Sequence, residues 1–127
     1  MAYISCTIKG VPFGKFKKRG DIAAPKRWTE EIRRQTQALP RVREACVMKV
    51  TFLLPRQSYP SDHPYGTDLD NLLKLFLDAL KKTVLSEAPG QDGCVVAIIA
   101  MKVPVASNEE TGVHFEVLPV VVEKGSV

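Results

Sequence analysis

Residues 66–80 read GTDLDNLLKLFLDAL, and how this stretch folds decides the architecture of the chain. Leu69, Leu72, Leu73, Phe76, Leu77 and Leu80 fall at i, i+3, i+4, i+7, i+8 and i+11. That spacing lines one side of an α-helix, so it predicts a helix from about Asp68 to residues 82–84 with one continuous buried stripe. Thr67-Asp68-Leu69-Asp70 fits a capping box, in which a hydroxyl residue is followed three positions on by an acid. Two readings of these acids compete. Acids at a helix start are favoured by capping and by the helix dipole with no function attached. Alternatively, Asp68 in extended backbone and Asp70 in the first turn point the same way, with Lys74 one turn further along that edge. Carboxylates so placed suit a hard divalent cation. Spacing alone favours the first reading, because short motifs recur by chance.

Working outward, CVVAIIAMKVPV (residues 94–105) is a short, β-branched apolar run and reads as a buried central strand. AYISCTIKG (2–10), ACVMKVTFLL (45–54) and VHFEVLPVVV (113–122) read as further strands. Pro25 opens a second helix to about Leu39, with Trp28 and Ile32 facing inward. Turn-rich segments separate these elements: VPFGKFKKRGD (11–21), PRQSYPSDHPYGT (55–67) and SEAPGQDG (86–93). The expected order is β-α-β-α-β-β, an α/β (α+β) single domain over residues 1–127. Two helices would pack on a mixed sheet of about four strands. Asp92 sits immediately before the apolar strand. Helix starts and strand ends commonly gather at one sheet edge, so Asp92 is expected to approach Asp68 and Asp70.

At 127 residues the chain suits one domain with a real core. No apolar run approaches the roughly 18 residues of a membrane span. MAYISCTIKG lacks the pattern of a secretory signal, so a cytoplasmic protein is expected. Cys6, Cys46 and Cys94 are dispersed in apolar stretches, which predicts buried free thiols and no zinc site. Net charge is +4, concentrated in residues 15–43. There Lys15, Lys17, Lys18, Arg19, Lys26, Arg27, Arg33, Arg34, Arg41 and Arg43 face only Asp21, Glu30 and Glu31, with Glu44 at the border. A one-sided basic surface attracts polyanions, nucleic acid first among them. His63 reads as a solvated loop residue, His114 as an exposed strand residue, Trp28 as a core anchor and Asp78 as structural. Tyr65, three residues before Asp68, is placed either to stack on a base or to pack over the helix start.

DLDNLLKLFLDAL followed by QDGCVVAIIAMKV resembles the RusA family of Holliday-junction resolvases. The residues carrying the likeness are Asp68, Asp70, Asn71 and Lys74, then 77–80, then Asp92, Val95-Val96 and Lys102. The resemblance implies a homodimeric, Mg²⁺-dependent endonuclease, with Mn²⁺ as a substitute. Such an enzyme cuts four-way DNA junctions by paired nicks in recombination and repair. It also implies that Asp68, Asp70 and Asp92 bind the metal and that Lys74 is the basic residue beside them. Lys15, Lys17, Lys18, Arg19, Lys26 and Arg27 are then the expected DNA contacts, with Tyr65 at the junction. Gln91 stands where the family often has a second acid, and the connection from residue 82 to 91 is somewhat long. The rival readings are a non-catalytic module of the same fold that binds branched nucleic acid, and a nuclease for flaps.

Overall fold

The structure, a computed structural model, describes residues 4–14, 22–59 and 66–120. Its elements are β1 (Ile4–Lys9), α1 (Ala24–Thr36), β2 (Cys46–Pro55), α2 (Leu69–Leu80), β3 (Val95–Val105) and β4 (Gly112–Pro119), with short 3₁₀ turns between them. This is the expected β-α-β-α-β-β order. The strands form one mixed sheet in the order β1-β4-β2-β3. β4 runs antiparallel to both β1 and β2, while β3 pairs parallel to β2. A parallel pair needs a crossover, and α2 supplies it. Among the described residues no helix is long and apolar enough to cross a membrane.

Alternation along the strands sends Ile4, Ile8, Met48, Val50, Phe52, Leu54, Val113, Phe115 and Val117 to one face, where both helices cover them. α1 starts at Ala24 with Pro25 in its first turn, and Arg33 and Arg34 in its last turn complement the C-terminal end of the helix dipole. Trp28 and Ile32 are buried as expected, although the helix ends at Thr36 rather than near Leu39. Thr36 Oγ1 donates to the Ile32 carbonyl at 2.8 Å and lies 2.7 Å from Thr83 Oγ1. Having only one hydrogen, Thr36 must accept from Thr83, and this buried bond ties the end of α1 to the segment after α2. At the opposite end Gly14 packs against Asn71 so closely that a Cβ would overlap the Asn71 carboxamide. The two helices therefore run in the same sense, with both N-termini at the sheet edge where β1, β2 and β3 end.

Two expectations about packing are corrected. The buried residues of α2 are Leu72, Leu75, Phe76, Ala79 and Leu80, whereas Leu69, Leu73 and Leu77 are only partly buried. The stripe is rotated toward Leu75 and Ala79 because α1 packs along that flank of α2, which a single-helix pattern does not register. β3, expected at the centre, is an edge strand. Val96, Ile99, Met101 and Val103 are 59%, 58%, 39% and 37% exposed. Ile99, Met101 and Val103 stand opposite Lys49, Thr51 and Leu53 in the ladder, on the face that the helices leave uncovered. His114 is also less exposed than expected, because Thr7 Oγ1 lies 2.8 Å from its Nδ1 across the β1–β4 pair.

β4 begins on a glycine for a steric reason. Gly112 has φ +156°, and a Cβ there would collide with the Ile8 carbonyl oxygen across the ladder. All three cysteines are free thiols, Cys46 and Cys94 buried and Cys6 half-buried. Burial, reinforced by the neighbouring Cys94, pushes the Cys46 thiol up to about 12.

Two outcomes are expected. Phe76 lies edge-on to Phe52 and Phe115, with ring centroids 6.0 Å and 5.2 Å away, so Phe76→Ala should lower stability by about 3–5 kcal/mol in urea unfolding. At pH 8 the native chain should yield at most the Cys6 thiol to an aromatic disulfide reagent, and all three after unfolding in guanidinium.

Candidate active site

The entrance of α2 is built differently from a capping box. Asp68 itself is the N-cap, with φ −57° and ψ 129°, and its side chain makes no capping hydrogen bond. Thr67 lies one residue outside the helix, so it does not cap. The first helical bond runs from the Leu72 N–H to the Asp68 carbonyl at 3.1 Å. Asp70 Oδ1 accepts the Asn71 N–H at 2.9 Å, which is ordinary first-turn chemistry. Asp68, Asp70 and Lys74 are all solvent-exposed. From β3, Lys102 turns to the helix side of the sheet and donates from Nζ to the Thr67 carbonyl at 2.9 Å. An ammonium thus stands beside the peptide that leads into Asp68. The sequence reading named Lys102 only as part of a pattern and gave it no place at this mouth.

Below the mouth, one flank of α2 forms a shallow pocket of about 270 Å³. Asp70, Lys74 and Asp78 line it at helical spacing, Leu73 and Leu77 form its apolar wall, and Asp92 closes it from the 3₁₀ turn Gln91–Cys94. Lys81 Nζ bridges the carboxylates of that end, 3.1 Å from Asp78 Oδ1 and 3.6 Å from Asp92 Oδ2. Asp78 first, and Asp92 after it, hold the Lys81 ammonium above its usual pKa.

The structure therefore brings Asp70, Lys74 and Asp92 to one pocket, together with Asp78, which the sequence reading did not place there, and pairs Lys81 with Asp78 and Asp92 at its end. It does not gather Asp68, Asp70 and Asp92 at one point. Among the described residues no group of three metal-ligating side chains is close enough to hold an ion. Asp92 does share a pocket with Asp70, and topology sets the end from which it enters. Asp92 precedes the start of β3, and α2 runs opposite to β3, so Asp92 meets the C-terminal half of the helix. The periodicity that marks Asp78 as a helix residue is also the signal that aligns it with Asp70 and Lys74, at i, i+4 and i+8.

Of the expected DNA contacts, Lys15, Lys17, Lys18, Arg19 and Tyr65 lie outside the described residues, as does His63. Lys26 and Arg27 are exposed near the start of α1, and Arg27 lines a pocket of about 250 Å³ with Gly10, Phe13 and Trp28.

The pocket's donors are carboxylate oxygens, with no thiol or imidazole among its lining residues. That donor set suits Mg²⁺, which takes one or two carboxylates plus substrate phosphates and keeps several waters, so a tight three-acid cage is not required.

No curated protein matches the chain. A family model described as endodeoxyribonuclease RusA matches residues 16–117, a span that takes in both helices, the α2 pocket, β2, β3 and most of β4. On that match, the chain belongs to the RusA family of endodeoxyribonucleases.

Proposed function

We propose that this chain is a Mg²⁺-dependent endonuclease that resolves four-way DNA junctions by paired phosphodiester hydrolysis, in recombination and repair in the cytoplasm. The observation that carries the reading is the α2 pocket: Asp70, Lys74 and Asp92 line one pocket in a chain of the RusA family. Asp70 would hold the metal, with Asp68 at the entrance and Asp92 across the pocket as the further carboxylates; Mn²⁺ has the same preference for oxygen ligands. When bound, the ion supplies an acidified water and neutralises charge on the scissile phosphate. The chain's own residues do the rest. Lys74, exposed between Asp70 and Asp78, is placed to hold a phosphate oxygen and to balance the charge that develops on it. Lys81 keeps the Asp92 carboxylate turned toward α2. Lys102 fixes the backbone from which Asp68 projects.

DNA reaches this wall along a basic path. Gly14 packs on Asn71 in the first turn of α2, and Lys15, Lys17, Lys18 and Arg19 follow Gly14 in sequence. These cations, with Lys26 and Arg27, are proposed to contact backbone phosphates. Tyr65, three residues ahead of Asp68, is proposed to stack on a base at the branch point.

A junction offers two equivalent strands, which an isologous pair of subunits would meet with two equivalent sites. The proposed homodimer is supported by Ile99, Met101 and Val103, exposed apolar residues of β3 that share the open face of the sheet and that a second copy would cover.

Two measurements test the reading. With Mg²⁺ and a four-way junction, the native chain should make paired nicks, and Asp70→Asn should bind the junction but cut it more than about 100-fold more slowly. A native chain that binds without cutting would instead make it a branched-DNA binding module. Ile99→Lys should convert a dimer into monomers in light scattering, and a native chain that is already monomeric would sink the pairing.

A further inference from the structure

A second concavity, of about 450 Å³, lies where α1 and the loop after it meet the segment that follows α2. Glu30, Arg33 and Arg34 reach it from α1 at i, i+3 and i+4, Arg41 comes from the loop after α1, and Lys82 and Thr83 come from the segment after α2. Its frame is firm. The Thr36–Thr83 hydroxyl bond and the hydrogen bond from the Val42 N–H to the Val84 carbonyl, 2.9 Å, join the two connections that form it.

The charges lining this concavity are lopsided, with Glu30 the one carboxylate against Arg33, Arg34, Arg41 and Lys82. Glu31 takes the Arg34 guanidinium, and Arg41 Nη1 donates to the Leu39 carbonyl at 3.0 Å. Arg33 is different. Its Nε is buried and has no hydrogen-bond partner among the described residues. As a lining residue Arg33 brings a guanidinium to the concavity, and a guanidinium fits phosphate oxygens two at a time. Lys82, exposed, adds a further cation to the same concavity.

We infer that this concavity is a second DNA-backbone subsite, taking phosphodiester groups of a junction arm through Arg33, Arg41 and Lys82. It is separate from the pocket proposed for scission. Lys82 lies twelve positions along the chain from Asp70, about 18 Å at the rise of a helix, or about five base-pair steps. A subsite at that remove holds an arm without touching the reacting phosphate. The inference rests on the nuclease reading for the identity of its ligand.

The test is binding of the full chain to a long-armed four-way junction across a salt series, with cleavage measured in parallel at saturating protein. Each phosphate contact contributes about 0.9 to the slope of log affinity against log salt. The double variant Arg33→Gln/Lys82→Gln should lower that slope by about 1.8, and Lys82→Gln alone by about 0.9, while cleavage at saturation stays at the native rate. Lys82 is exposed, so the single variant keeps the test valid even if loss of Arg33 disturbs the fold. An unchanged slope in the single variant overturns the subsite, and so does a normal slope with slowed cleavage. If the native chain binds the junction but never cuts it, the nuclease reading falls, and the slopes still decide whether Lys82 and Arg33 hold DNA.

Discussion

Phe76 sits between Phe52 of β2 and Phe115 of β4, edge-on to both, over the middle of the sheet. This contact fixes the rotation of α2 about its own axis, and much of the molecule depends on that angle. With Phe76 down, Leu72 and Leu80, one turn before and one turn after it, are also fully buried. The side chains on the far side of the helix, Asp70 and Lys74 among them, are then exposed. Leu73 and Leu77 fall between these sides and remain half-buried, as the apolar wall of a pocket instead of part of the core. A helix rotated by one position would submerge a charge and bare a leucine.

α1 adds the second constraint. Because both helices are crossovers leading to strands that run the same way, their N-termini meet at one edge and their C-termini at the other. The Thr36–Thr83 bond closes the C-terminal end, and the Gly14–Asn71 contact closes the N-terminal end. α2 is thereby left with two unlike flanks. The flank toward Asp92 carries carboxylates, held by Lys81 at one end and overlooked by Lys102 at the other. On the side toward α1, cations of α1, of the loop after it and of the segment after α2 line a second concavity with few acids to answer them. α2 thus stands between a surface suited to metal and a surface suited to phosphate.

The sheet shows the same division of labour. Its helix-covered face is a closed core, while its open face changes character across the strands. Ser5, Thr7, Lys9, His114 and Glu116 make the β1–β4 side polar, and Ile99, Met101, Val103 and Leu53 make the β3 side apolar. Edge strands are commonly protected by charge, and β3 points its one lysine, Lys102, to the helix side.

What the sequence by itself determined is what short-range physics encodes. Leucines at helical spacing, alternation in residues 4–9, Pro25 at a helix start and turn residues between the runs set the number, type and order of elements. The spacing of Asp68, Asp70, Asn71 and Lys74 marked the α2 entrance. Only the tertiary structure decided the rest. An apolar run is compatible with a central or an edge strand, and the placement of β4 between β1 and β2 put β3 outside. The buried stripe of α2 shifted because a neighbouring helix, absent from any local pattern, covers Leu75 and Ala79. A capping box needs the backbone to turn at Thr67, but the chain enters the helix one residue later and leaves the Asp68 carboxylate out of the cap. Asp92 reached the far end of the α2 pocket instead of its mouth because the direction of a strand relative to its helix is a property of topology, which residue spacing does not carry.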